Sequence, residues 1–92
     1  MATLDVDLVA ADRTIWSGEA SMVSAPAADG EVGILPGHTP LLAVLRAGEV
    51  RITPVSGEAV HAWIDGGFIS VDFDRVTVVA DAARADAGPA GR

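Results

Sequence analysis

Asp29-Gly30-Glu31-Val32-Gly33-Ile34-Leu35-Pro36-Gly37-His38-Thr39-Pro40-Leu41-Leu42 sets three glycines, two prolines and one histidine between apolar, strand-like runs. Gly30, Gly33 and Gly37 can take backbone angles that strain other residues. Pro36 and Pro40 fix their own φ and push Leu35 and Thr39 towards extended conformations. This is a shaped loop that holds one conformation, and rigid loops of this kind usually serve a surface on which something docks. Gly33, Pro36, Gly37 and Pro40 are its shaping residues. Asp29-Gly30 marks a hairpin turn between Ser21 to Ala25 and Glu31 to Leu35, because Asp and Gly tolerate positive φ.

Working outward, the same short alternating runs recur. Leu4, Val6, Leu8 and Ala10 alternate with Asp5 and Asp7, a strand with one buried and one wet face, although Val9 breaks the alternation. A second short strand near Thr14 to Trp16 follows the Ala11-Asp12-Arg13 turn. Leu41 to Leu45 and Glu49 to Val55 flank Ala47-Gly48. Further strands follow at Ala59 to Ile64, Phe68 to Phe73 and Val76 to Asp81, each introduced by turn residues. Helical periodicity is nowhere sustained. The pattern predicts an all-β fold: a two-layer antiparallel β-sandwich of about nine or ten short strands. There is no internal repeat and no linker before Asp81, so residues 1–81 are expected to form one sandwich domain. Residues 82–92 are expected to form a short irregular or weakly helical, flexible tail, since Gly88-Pro89-Ala90-Gly91 stops any helical turn begun at Ala82 to Ala87.

Composition narrows the function. Ninety-two residues, half of them apolar and 21% charged, make one small globular domain. No apolar run approaches the ~20 residues that span a bilayer, and no charged-then-apolar leader suggests secretion; a soluble protein is expected, without direct membrane insertion. With no cysteine, disulfides, thiolate metal sites and cysteine nucleophiles are excluded. A formal net charge of −7 repels phosphate backbones, so no nucleic acid is expected as partner. All six basic residues are arginine; the absence of lysine removes P-loop nucleotide binding and Schiff-base chemistry.

Few residues can act chemically. His38 and His61 are the only histidines, and neither has a second histidine at ligand spacing on the same element. Acids such as Asp5, Asp7, Asp29, Asp65, Asp72 and Asp74 can approach them in space, but strand-end acids in a sandwich are usually solvated turn formers. The serines lack a nucleophile-elbow context. His38 by itself can serve simply to hydrogen-bond the backbone of its own loop. Trp63 reads as a core anchor in an otherwise aliphatic sandwich; His61 shares its face by alternation, so if that face were exposed the two would form part of a docking patch.

The run Gly30-Glu31-Val32-Gly33-Ile34-Leu35-Pro36-Gly37-His38-Thr39-Pro40-Leu41-Leu42 closely resembles the signature of the epsilon subunit of F-type ATP synthases. Leu4 to Ala10 with Trp16-Ser17-Gly18, Ala47-Gly48-Glu49-Val50-Arg51-Ile52, Asp65-Gly66-Gly67-Phe68 and Val76 to Asp81 look like the amino-terminal β-sandwich domain of that family, in order and spacing, over residues 3 to 86. The resemblance implies a non-catalytic rotor subunit of the central stalk that links the gamma subunit to the c-ring and supports coupling of proton translocation to ATP synthesis. It implies no cofactor, no metal and no small-molecule substrate, and a place at the cytoplasmic face of the bacterial plasma membrane as a peripheral part of the complex. By the same resemblance Glu31, with Gly30, faces the c-ring, whose polar loops usually carry arginine, and His38, Ala10 and Ala43 lie beside gamma. An acidic partner for a basic loop also fits the net charge of −7.

Family members commonly continue into a two-helix hairpin that can inhibit ATP hydrolysis and, in some bacteria, bind ATP. This sequence has no counterpart to that hairpin, so neither property is carried over. Two other readings stand beside the rotor: a small cupin-like β-barrel enzyme in which His38, His61 and nearby acids ligate a metal, and a generic β-sandwich interaction module.

Overall fold

A computed structural model describes residues 2–11 and 13–85. They form nine strands: β1 (Leu4–Ala10), β2 (Arg13–Ala27), β3 (Gly30–Ile34), β4 (Leu41–Leu45), β5 (Gly48–Pro54), β6 (Val60–Ile64), β7 (Gly67–Asp72), β8 (Arg75–Ala80) and β9 (Ala83–Ala85). One layer runs β2-β1-β8-β7-β4, and the other runs β3-β2-β5-β6-β9. β2 belongs to both. Its first half pairs with β1 and its second half with β3 and β5.

The handover occurs at Ala20, which faces both Leu4 of β1 and Pro54 of β5, next to a bulge between Ala20 and Met22. A bulge bends a strand and sharpens its twist, which lets one strand leave one sheet for another. Two short strands were expected from Thr14 to Ala25; the structure makes one of 15 residues. Gly18 and Glu19 do not break it, because β1 supplies partners throughout and the Ser17 hydroxyl donates to Asp7 Oδ1 at 2.7 Å. A second bulge, between Leu8 and Val9, accounts for the break in alternation at Val9.

All strand pairings are antiparallel except β1 with β8, which is parallel from Asp5↔Arg75 to Val9↔Val79. The sandwich closes on the far side by a single rung, Ala27↔Leu45, supported by Ala28 N–H to Val44 O (3.0 Å) and Arg46 N–H to Pro26 O (2.9 Å). Ala83 to Ala85, where an irregular or weakly helical tail was expected, form β9 against β6. The remainder of the expected tail, residues 86–92, lies outside the described residues.

Alternation places Leu4, Val6 and Leu8, Val50 and Ile52, Val60, Ala62 and Ile64, Ile69 and Val71, and Val76 and Val78 in one aliphatic core. None of the four aromatic side chains is buried, and no buried residue among those described is charged or polar. Trp63, expected to fill the core, is 54% exposed because Val60, Ala62 and Ile64 take the inward parity of β6. Gly67 is required where β7 begins. Its φ is +146°, and a Cβ there would lie 1.9 Å from Val79 O.

Candidate functional site

Leu35-Pro36-Gly37-His38 is a tight turn, with His38 N–H donating to Leu35 O at 3.1 Å. Pro at the second position and Gly37 at φ +89° at the third are what a type II turn demands. The turn is tied to the rest of the sandwich from outside: Gly37 N–H donates to Asp74 Oδ1 at 2.7 Å, and Asp74 O accepts Asp5 N–H at 2.8 Å. Asp74 belongs to the two-residue connection between β7 and β8, where Phe73 (φ 50°) and Asp74 (φ 63°) both lie in the left-handed region. That is the geometry of a primed hairpin turn. His38 Nδ1 donates to Thr39 O at 2.7 Å, so the loop's own backbone holds the ring and Nε2 is left for another partner.

The outer face of the β2-β1-β8-β7-β4 layer is graded. Cross-strand register places Val44, Phe68, Val79 and Val9 in one row. The next row holds Leu42, Ser70, Thr77, Asp7 and Ser17, and the last holds Asp72, Arg75, Asp5 and Glu19. Leu42 is 73% exposed, Val44 67% and Phe68 42%, an apolar surface on strands whose other faces build the core. Arg75 reaches Asp7 at 3.7 Å across the polar side of the face.

Ala10 and Ala43 flank the apolar row, beside Val9 and Val44. Both are half-buried, and Ala43 packs against the core. The outward positions on β4 are therefore Leu42 and Val44, which the sequence reading did not single out. Alternation on β4 contained that signal, but the inward and outward parities of an all-aliphatic strand cannot be told apart in sequence. His38 is separated from Ala10: the register puts Ala10 at the end that holds the β2-β3 connection, and the His38 loop at the opposite end, beside the β7-β8 connection.

Glu31 is exposed on β3, opposite Pro26, and Gly30 takes φ +134° where the hairpin turns back. Asp29, Asp65 and Asp81 are exposed at the same end, together with the basic residues Arg46 and Arg13, the latter paired with Ala10 and reaching Ala83 O at 3.5 Å. On the outer face of the other layer, His61 Nδ1 lies 2.9 Å from Glu49 Oε2, and Arg51 Nε lies 3.7 Å from Glu49 Oε1. His38 and His61 are thus each held by a different partner. Among the described residues no group of three His, Asp or Glu side chains is placed to hold a metal ion.

A braced β-sandwich with an apolar outer face and an acidic end defines a docking domain whose chemistry is that of its surfaces. The comparisons with known proteins give the family. A model described as ATP synthase, Delta/Epsilon chain, beta-sandwich domain matches residues 3–86, and the chain belongs to that family. The ATP synthase epsilon chain of Micrococcus luteus is 56% identical over 84 residues, covering 91% of this chain and 92% of that one. That of Alkalilimnicola ehrlichii is 52% identical over 83 residues, covering 90% of this chain and 59% of its own length. A chain in the cryo-EM structure of Euglena gracilis mitochondrial ATP synthase, OSCP/F1/c-ring in rotational state 1, shares the fold with a TM-score of 0.85 at 23% identity, over 92% of this chain and 54% of that chain. The metal-enzyme and generic-adaptor readings give way to the family assignment.

Proposed function

We propose that this chain is the non-catalytic central-stalk subunit of an F-type ATP synthase, joining the gamma subunit to the c-ring. Proton-driven rotation of the ring then reaches gamma without slippage, while ATP forms in other subunits. The observation that carries this reading is the row Val44, Phe68, Val79 and Val9, with Leu42 beside it, on the outer face of one layer. An exposed apolar row bordered by polar rows has the character of a surface that another protein covers. Gamma lies on this side, along the His38 loop and the two flanks marked by Ala10 and Ala43. The c-ring takes the opposite charge logic: Glu31, with Gly30 shaping its hairpin, sits at an end where it and Asp29, Asp65 and Asp81 outnumber Arg13 and Arg46, which complements basic loops.

Stiffness is the mechanical requirement, and the close-packed aliphatic core together with the Asp74 tie supplies it. No described helix is long and apolar enough to cross a membrane. In this role the chain is a peripheral part of the complex at the cytoplasmic face of the bacterial plasma membrane.

Titration calorimetry against the purified gamma subunit of the same organism tests the assignment. Saturable one-to-one binding is expected, weakened about 100-fold by Phe68→Glu, since buried aromatic anchors dominate such interfaces. No detectable heat at tens of micromolar gamma, roughly −6 kcal/mol or weaker, would overturn it.

A further inference from the structure

β4 is the only one of the nine strands without an ionisable side chain: Leu41-Leu42-Ala43-Val44-Leu45 is wholly aliphatic. It is also an edge. One side pairs with β7 along its whole length, whereas the other meets β2 only at Leu45. Val44 O accepts from Ala28 N–H on that second side, so the backbone groups of Val44, and of Leu42 two residues earlier, point away from β7. Among the described residues Leu42 N–H, Leu42 C=O and Val44 N–H have no backbone partner.

Exposed edges are normally blunted by charge, glycine or brevity. The edge strand β3 carries Glu31 and two glycines, and β9 has three residues with Arg84 among them. β4 carries none of these devices. Its open backbone groups are bordered by Leu42 and Val44, 73% and 67% exposed, with Phe68 beside Val44 across the ladder. An edge of this kind, left bare in a chain that guards its other edges, fits an occupant that pairs with it.

We propose that the open edge of β4 takes up a short extended segment of the gamma subunit by strand addition, through hydrogen bonds to Leu42 and Val44. The proposal rests on the rotor reading above. The segment is extended because three open groups in line are matched only by another strand, and it carries apolar side chains two residues apart, which lie against Leu42 and Val44. The edge is continuous with the apolar row assigned to gamma, whereas the acidic end assigned to the c-ring lies beyond Leu45. A second copy of this chain is disfavoured by charge, since each copy carries −7.

Amide hydrogen exchange on the free chain and on its complex with purified gamma reads the backbone directly. Leu42 and Val44 amides should exchange freely in the free chain and slow at least 100-fold in the complex, while Ala43, already bonded towards β7, is protected in both. Leu42→Pro removes the open N–H without touching the β7 ladder, and should weaken gamma binding at least tenfold more than Leu42→Ala, which keeps the N–H. Gamma binding that leaves both amides fast overturns strand addition and leaves the rotor reading standing. Failure to bind gamma at all overturns both. Protection of the same amides in a concentrated solution of the free chain, with a dimer mass in sedimentation, assigns the edge to a second copy and overturns the gamma assignment.

Discussion

Asp74 performs two separable tasks, and substituting it tests whether the His38 loop is braced as described. Its φ of 63° lies in the left-handed region, where a residue with a Cβ and no local polar side chain loses about 1–2 kcal/mol. Its Oδ1 accepts Gly37 N–H at 2.7 Å, a charge-assisted bond in an exposed setting that contributes about 0.5–1.5 kcal/mol net. Asp74→Ala loses both and should cost about 1.5–3.5 kcal/mol. Asp74→Gly relieves the backbone and loses only the bond, about 1 kcal/mol. Asp74→Asn keeps an acceptor oxygen and tolerates the same φ, so it should stay within about 0.5 kcal/mol of the parent.

Urea unfolding of the three variants, with a slope of about 1 kcal/mol per molar for a domain this small, resolves the steps. Exchange of the Gly37 amide should accelerate in the Ala and Gly variants and not in Asn. If Asp74→Gly proved as costly as Asp74→Ala, the left-handed φ would have no energetic weight. If all three stayed within about 0.5 kcal/mol, the tie between the loop and the β7-β8 connection would be absent in solution.

Phe73 sits at φ 50° with its ring 90% exposed, so Phe73→Asn removes strain without removing packing and should raise stability by about 1 kcal/mol, or about 4–8 °C in Tm; an unchanged or lower melting temperature refutes this. Gly67→Ala places a Cβ 1.9 Å from Val79 O and 2.8 Å from Ala80 Cα, and should cost more than about 4 kcal/mol or prevent folding. Gly57→Ala, with φ +98° but open space around it, should cost only about 1–2 kcal/mol. Circular dichroism melts that place the two variants together would show that the close approach at Gly67 is not real.

The strands of the second half were legible because their alternation is clean. Val60, Ala62 and Ile64, and Val76 and Val78, stand two apart and are all buried. β2 was less legible: Gly18 and Glu19 carry turn-like local signals, and only the partner strand β1 overrides them. β9 was read as part of an irregular or weakly helical tail because Ala82 to Ala87 has good helix formers, and its pairing with β6 is a long-range contact that no local propensity reports. Trp63 illustrates a different gap. Alternation tied it to His61, but which face turned inward depended on how tightly Val60, Ala62 and Ile64 pack against the rest of the core.

The sequence by itself determined the class of fold, the shaped loop and the family, because these reside in period-two hydrophobicity, in Gly and Pro at turn positions, and in an ordered string of motifs. Gly37 after Pro36 specifies the turn before any tertiary contact is made. Tertiary structure alone decided that β1 runs parallel to β8, that β2 crosses between layers, that Asp74 holds the His38 loop, and that Leu42 and Val44 rather than Ala43 face outward on an open edge. Each of these is a pairing between residues far apart in the chain. Its energy exists only once the layers have met, so no stretch of sequence carries it alone.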